Sequence, residues 1–332
     1  MKKTKIVIFE VNKEEKNYLK SKLKNHKLVF LKSDLNEKNV HFYKDCEIIV
    51  IFVNSQINKY ILDKMNNLKL IATRSTGFDQ IDINECKQRK ITVCNVPFYG
   101  MNTVAEFTFG LILALSRNIH KTIERTKSDN FNTNGLEGFD LKGKTIGVIG
   151  PGHIGKHVMR YAKAFEMKIL TTSHHKDEHI EKEFSCKFVT LDKLLKNSDI
   201  ITIHAPLNKE TTHLINLKNI NKIKRGAYLI NTARGEIVET KALLYALDRN
   251  ILAGAALDVL EGEEEMKEHT QGRINDLNNK ILEENHRLLK KRHVIITPHI
   301  AFYTKEALKR IWDTTIDNIN AFNKKRPINK VS

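Results

Sequence analysis

Cysteine is scarce in this chain, acid is outnumbered by base, and no apolar run is long. The four cysteines, Cys46, Cys86, Cys94 and Cys186, are widely spaced and form no C-x-x-C pair. That spacing argues against a disulfide framework and for reduced thiols in a cytoplasmic protein. The longest apolar run, Phe107 to Leu115, is closed by Arg117 and is far too short to cross a bilayer. The N-terminus, MKKTKIVIFEV, has the basic-then-apolar order of a signal peptide, but Glu10 and Lys13 end the run early, so a first strand is expected there. No membrane is expected as a partner. Lysine and arginine number 56 against 39 acids, a net charge of +17. The excess is spread over many segments, with no basic stripe interleaved with aromatics, and nucleic acid is therefore not an expected partner. A basic balance suits an anionic ligand, although a compositional bias of the genome accounts for it equally well.

What is there in full measure is length and alternation. At 332 residues the chain can build two domains, each with a core of its own. Its first hundred residues alternate apolar stretches (Lys5 to Phe9, Lys27 to Leu31, Glu47 to Phe52, Leu68 to Thr73, Ile91 to Val96) with helical patterns such as Glu14 to Lys24 and Ile57 to Met65. That alternation predicts a parallel sheet with helices on both faces. A long helix is expected from Asn102 to about Lys127, followed by a polar loop from Asp129 to Gly143. Seven more strands follow: Thr145 to Ile149, Met167 to Thr171, Lys187 to Val189, Ile200 to His204, Ala227 to Asn231, Ala253 to Asp258 and Val294 to Thr297. The fold class is thus α/β, with two doubly wound parallel-sheet domains. Between Glu264 and Arg292 a charged excursion reads as surface helix and loop, and Thr304 to Phe322 reads as a last helix.

The strongest local signal is KTIGVIGPGHIG, Lys144 to Gly155. A β-branched run breaks into Gly150, Gly152 and Gly155 at G-x-G-x-x-G spacing, and an amphipathic stretch from Ile154 to Phe165 follows. Gly150 would permit the tight turn, Gly152 the approach of a pyrophosphate, and Gly155 the close packing of helix on strand. His153 and Ile154 then open a helix whose N–H groups and positive dipole end face the phosphates. Where NAD-preferring chains place an acid, about eighteen residues past the last glycine, this chain has Ser173, His174, His175 and Lys176. Those residues suit a 2′-phosphate, so either NAD or NADP is expected, with NADP favoured from Ser173, His174 and Lys176. His153 and His157 have a helical spacing that metals use but no third ligand, His174, His175 and His179 lie in a polar segment, and no metal is expected.

Three further residues fall at or just beyond late strands, where open α/β sheets place ligands. Arg234 follows YLINTA and offers a forked donor to a carboxylate. His299 follows Thr297-Pro298 and can exchange a proton near neutral pH. Glu263 would favour the charged ring and turn its other nitrogen toward a substrate. Each also has an ordinary reading: a surface arginine at a turn, a structural histidine, one acid in a run of acids.

Taken together, GPGHIG, NTARGEIV, AALDVLEGEE and TPHIAFYT resemble the D-isomer specific 2-hydroxyacid dehydrogenases over essentially the whole chain. The resemblance implies Arg234 on the substrate carboxylate and keto oxygen, and Glu263 paired with the catalytic His299. It places Asp258 near the nicotinamide carboxamide, His204, Ala205 and Pro206 along the cofactor, and Thr232 and Ala233 beneath the nicotinamide. It makes RSTGFDQID the loop that grips the carboxylate, through Thr76 and Gly77, and puts Tyr99 of NVPFYG against substrate. It implies a discontinuous substrate domain of residues 1 to 101 and 300 to 332, a cofactor domain of residues 102 to 299 with the active site in the cleft, and a homodimer joined through the cofactor domain and its apolar helix from Thr103. Within the family, AFYT, Tyr99 and the long excursion most resemble D-lactate dehydrogenases, which favours pyruvate. Glyoxylate, hydroxypyruvate or a bulkier 2-keto acid remain as other substrates. A cofactor-sensing binding protein of the co-repressor kind and a phosphite oxidoreductase remain as other functions.

Overall fold

The structure is a computed structural model and describes residues 4–270 and 279–332. Each of the twelve expected strands is present, with ends that differ by no more than two residues: β1 (Lys5–Ile8), β2 (Lys27–Phe30), β3 (Ile48–Ile51), β4 (Leu70–Thr73), β5 (Thr92–Cys94), β6 (Thr145–Ile149), β7 (Lys168–Thr172), β8 (Lys187–Phe188), β9 (Ile200–Ile203), β10 (Ala227–Asn231), β11 (Leu252–Leu257) and β12 (Val294–Ile296). Ile48–Ile51 and Ile200–Ile203 are buried throughout, as strands covered by helices on both faces must be.

The strands form two sheets, all parallel, and the chain divides into two compact units. The first unit, Met1–Tyr99 with Thr304–Ser332, holds the order β2-β1-β3-β4-β5, the flavodoxin-like winding. Its core has two faces, one built around Val7, Ile49 and Ile71 and the other around Ile8, Val50 and Ala72, the latter covered by Trp312, Ile316 and Ile319 of the helix Lys305–Asn323. The second unit, Gly100–Tyr303, holds β12-β11-β10-β9-β6-β7-β8. That is the dinucleotide-fold order, with its winding reversed between β6 and β9.

Two expectations need correction. The helix expected from Asn102 to Lys127 is two helices, Met101–Ser116 and Ile119–Thr126, broken at Asn118, whose φ is 51°. Asparagine tolerates the left-handed region, and its side-chain amide donates to the Glu137 carbonyl at 2.9 Å. Gly138 lies so close to the end of the first helix that a Cβ would sit 2.3 Å from the Ser116 oxygen. The returning loop therefore wedges the break open. The charged excursion is also less superficial than its composition suggests: the helix Lys280–Leu289 buries Leu282, Asn285 and Leu288, a three-residue spacing that gives even a charged helix one inward face. The part of the excursion at residues 271–278 lies outside the described residues.

All four cysteines are buried and free, and burial pushes the Cys86, Cys94 and Cys186 thiols up to about 11, so they are inert in a working pH range. Among the described residues no helix is long and apolar enough to cross a membrane.

Asp199 anchors the entry to β9. Its carboxylate accepts the Thr145 N–H at 2.8 Å and the Lys224 ammonium at 2.7 Å. Burial would raise this carboxyl, but the two donors outweigh it and hold it below its ordinary value of 3.8. An acid with a depressed folded pKa stabilises the fold above its unfolded pKa and loses that contribution as pH falls through the folded one. Asp199→Asn should therefore lower the urea midpoint at about pH 7, and the gap to wild type should close as the pH is taken below 3.8.

Candidate functional site

Because every strand of the second sheet is parallel, the residues that follow the strands gather at one edge. Gly150 to Gly155 follow β6, Ser173 to Lys176 follow β7, and His204 to Pro206 follow β9. Thr232 to Arg234 follow β10, Asp258 follows β11, and His299 follows β12.

The glycine turn is shaped by sterics. Gly150 has φ +92°, and a Cβ on it would lie 2.7 Å from the Ala205 nitrogen. The His204 N–H donates to the Ile149 carbonyl at 2.7 Å and the Gly150 N–H to Thr172 at 3.1 Å, so the loops after β6, β7 and β9 meet at this turn. A Cβ on Gly155 would be 2.2 Å from the Gly150 oxygen, whereas nothing lies within 4 Å of one on Gly152. The helix His153–Ala164 starts there with Gly152 as its N-cap and no side-chain cap, so its first N–H groups are left for an outside acceptor. Ile154 turns inward against the core while His153 is exposed.

His204 is a histidine of unusual chemistry. Burial pulls its pKa down to about 3. Its Nε2 meets the Thr202 hydroxyl at 2.9 Å, and its buried Nδ1 has no partner among the described residues. A buried polar atom without a partner is costly. That orphan nitrogen, the uncapped helix and the open Gly152 fit a bound dinucleotide. Thr232 is buried, bonded to the Thr108 hydroxyl at 3.0 Å, and Ala233 is half-buried, its N–H donated to Asn231 Oδ1 at 3.0 Å.

The structure brings His299 and Glu263 together. His299 Nδ1 lies 3.1 and 3.0 Å from the two Glu263 carboxylate oxygens, which leaves Nε2 for a further partner. His299 stands at φ +56°, a strained conformation for a residue with a side chain. Asp258 holds it there. The Asp258 carbonyl accepts the His299 N–H at 2.9 Å, and its buried carboxylate accepts the Thr297 hydroxyl (2.5 Å), the Ile300 N–H (2.9 Å) and the Ala301 N–H (2.8 Å). Burial keeps this carboxyl above the ordinary range despite those donors. Arg234 is half-buried, and its Nη1 donates to the Ala233 carbonyl at 2.8 Å. Next to it, Gly235 packs so tightly that a Cβ would fall 2.0 Å from the Leu260 carbonyl carbon. The Arg234 and Glu263 segments are thereby fastened together.

Residues 109–301, more than half of the chain, match the model of the D-isomer specific 2-hydroxyacid dehydrogenase NAD binding domain. A 2-hydroxyacid dehydrogenase homolog from Haemophilus influenzae is 36% identical over 321 residues, 95% of each chain. A glyoxylate reductase from Thermofilum pendens is 42% identical over 257 residues, 76% of this chain and 71% of that one. The crystal structure of D-lactate dehydrogenase from Aquifex aeolicus complexed with NAD and lactic acid superposes with a TM-score of 0.88 at 38% identity, covering 98% of this chain and 100% of that one. The chain belongs to the D-isomer specific 2-hydroxyacid dehydrogenase family. It carries the family's NAD-binding domain, and the family is one of oxidoreductases.

In the first unit of this 2-hydroxyacid dehydrogenase family member, the loop after β4 is fixed by its oxygens. Asn95 Nδ2 donates to the Thr76 carbonyl at 2.8 Å, the Ser75 hydroxyl to the Gly77 carbonyl at 2.6 Å, and the Thr76 hydroxyl to Val96 at 2.9 Å. Tyr99 is half-buried, and its carbonyl accepts Arg310 Nε at 2.6 Å. Residue types alone did not single out Arg74. Its buried guanidinium lies 4.7 Å from the Phe52 ring and 4.4 Å from the Trp312 ring and donates to the Phe9 and Glu10 carbonyls. Glu261 was missed too: it meets His213 at 2.6 Å and accepts the Thr240 N–H at 2.9 Å. At the β7 end, Ser173, His174 and Lys176, expected to be available to a 2′-phosphate, already have partners: the Ser173 hydroxyl donates to His175, His174 pairs with Glu210 and Lys176 with Glu181. Among the described residues there is no group of three metal-ligating side chains.

Asp258 is a positioning residue by this geometry. Asp258→Asn would set an amide NH2 against one of the donors that now meet a carboxylate, at a cost of about 1–3 kcal/mol in stability. We expect that loss in denaturant unfolding, accompanied by a turnover at least roughly tenfold lower, because His299 no longer keeps its left-handed turn.

Proposed function

We propose that this chain reduces small 2-keto acids to D-2-hydroxy acids at the expense of a nicotinamide dinucleotide, with pyruvate the favoured substrate. The observation that carries the reading is the His299–Glu263 pair at 3.0 Å, held at the carboxyl edge of a sheet that begins with a glycine fingerprint. When bound, a reduced nicotinamide supplies the hydride. The chain's own groups do the rest. Arg234 presents a forked cation to the substrate carboxylate and keto oxygen, with Thr76 and Gly77 as a second hold on the carboxylate and Tyr99 as a further substrate contact. As the carbonyl carbon takes the hydride, the oxygen becomes an alkoxide and accepts the proton from His299 Nε2. Glu263 keeps Nδ1 bonded, so the ring cannot turn away.

On the cofactor side, the proposed contacts are the 150–155 turn, His204 to Pro206, Thr232, Ala233 and Asp258. NADPH is proposed as an accepted cofactor beside NADH, because the strand-end loop at positions 173–176 itself carries no acid and holds His174, which a 2′-phosphate can reach when it displaces Glu210. Pyruvate is favoured because the Aquifex aeolicus structure was solved as a D-lactate dehydrogenase with lactic acid. The relative named as a glyoxylate reductase makes glyoxylate the first competitor.

The test is steady-state kinetics over pyruvate, glyoxylate, hydroxypyruvate and an aromatic 2-keto acid, each with NADH and NADPH. His299→Ala should lower turnover by roughly 10²–10⁴-fold with little change in cofactor binding, whereas Arg234→Ala should chiefly raise the KM for the keto acid. Near-normal turnover in His299→Ala would remove the proton-donor role, and oxidation of neither cofactor with any acid would remove the reading.

A homodimer joined through the second unit is part of the same proposal. Ile119 and Ile123, four apart on the helix Ile119–Thr126, are 43% and 50% exposed, and Phe131 beyond it is 78% exposed. Light scattering should give twice the chain mass for the wild type and the single mass for Ile123→Lys.

A further inference from the structure

The end of β7 carries an electrostatic arrangement that the order of residues conceals. β7 and β9 flank β6 in the sheet, so the segment after β9 can reach across the glycine turn to the segment after β7. It does so at His174, whose Nε2 lies 3.0 Å from a Glu210 carboxylate oxygen, with both side chains some 70% exposed. The Glu210 backbone is not loose. Asn208 Oδ1 accepts the N–H groups of Glu210 and Thr211 at 2.9 and 3.0 Å, and the Thr211 hydroxyl donates to the Pro206 carbonyl at 2.6 Å. The carboxylate is thus presented from a built turn that begins at the proposed cofactor-lining residues His204 to Pro206.

The neighbouring groups are drawn elsewhere. Lys176 Nζ is 3.1 Å from Glu181, which also accepts the Phe188 N–H at 2.9 Å, so Lys176 is held toward the helix Glu178–Phe184. The Ser173 hydroxyl is turned to the His175 carbonyl, and Asp177 caps the same helix through the His179 and Ile180 N–H groups. Among the described residues, His174 and Glu210 form the hydrogen-bonded pair that spans the β6 turn.

We propose that Glu210 is a specificity-determining residue for the adenosine end of the cofactor, acting against a 2′-phosphate by occupying His174; this rests on the cofactor site proposed above. In doubly wound sheets the ribose of a dinucleotide lies by the end of the second strand, here β7. A 2′-hydroxyl can donate to the Glu210 carboxylate and leave the pair intact. A 2′-phosphate brings nearly two negative charges against that carboxylate, and it gains His174 only by displacing it. The acid that NAD-preferring chains place in the strand-end loop is supplied here from a different loop.

Calorimetric titration of the full chain with ADP-ribose and with 2′-phospho-ADP-ribose reads this without any turnover. Glu210→Gln should tighten 2′-phospho-ADP-ribose by roughly tenfold, the size expected from removing one charge at ~5 Å in a water-like medium, while ADP-ribose changes by less than twofold or weakens. Adding His174→Ala to Glu210→Gln should cut the gain, because no released imidazole then meets the phosphate, and leave the share that comes from the lost charge. An unchanged ratio of the two affinities in Glu210→Gln would overturn the role of Glu210, and a gain of the same size in the double variant would overturn the part played by His174. Absence of binding of either ligand to the wild-type chain would overturn the cofactor site itself, and the inference with it.

Discussion

The buried carboxylate of Asp258 is the joint on which the second unit's chemistry turns. Its backbone N–H donates to the Asn231 carbonyl at the end of β10, and its carbonyl takes the His299 N–H beyond β12. Its side chain takes three more donors from Thr297, Ile300 and Ala301. A charge so deeply buried is expensive, and burial does push its carboxyl upward. The compensation is geometric. Five hydrogen bonds, one to the end of β10 and four to the segment after β12, converge on one residue and hold His299 in its left-handed conformation. The Glu263 pair then needs only to fix the ring, since the backbone beneath it is already set.

The first unit solves a comparable problem with a cation. Arg74 is buried between two aromatic faces, and burial pulls its pKa down to about 10, opposed by Glu15 and Glu10. It therefore keeps its charge at neutral pH and gains cation–π attraction from both faces. Its hydrogen bond to the Glu10 carbonyl fixes a residue at φ 54° whose carboxylate in turn gathers the N–H groups of Phe52 and Asn54 and the Ser55 hydroxyl. Loops after β1, β3 and β4 are tied through one guanidinium, immediately before Thr76 and Gly77. The aromatic walls of this cation, Phe52 and Trp312, come from segments far apart in the chain.

That dependence on distance explains what could be read from the sequence. The glycine turn was legible because its constraints are local: a positive φ at Gly150 and a close approach at Gly155 act within six residues. The twelve strands were legible because β-branched apolar runs in a doubly covered sheet leave a strong pattern. The break at Asn118 was not legible, since it is made by Gly138 and Glu137 returning against the helix end. The buried face of Lys280–Leu289 was masked by charge on its other faces. At the β7 end the partners of His174 and Lys176, Glu210 and Glu181, lie on other segments, so a cluster that looked available to a phosphate is already engaged.

Two histidines show how far environment outweighs residue type. Both His204 and His299 follow strands at the carboxyl edge of one sheet. His204 is enclosed, its pKa drawn down to about 3 by burial, with one nitrogen on Thr202 and the other without a partner among the described residues. Burial favours its neutral ring, which keeps one N–H donor and one acceptor nitrogen for binding or orienting a neighbour. His299 is half-exposed and bonded through Nδ1 to a carboxylate, so its second nitrogen faces outward with a partner behind it. Of the two rings, only His299 is backed by a carboxylate, the arrangement that the proposed proton transfer uses, and His204 is the one bonded to a neighbouring hydroxyl.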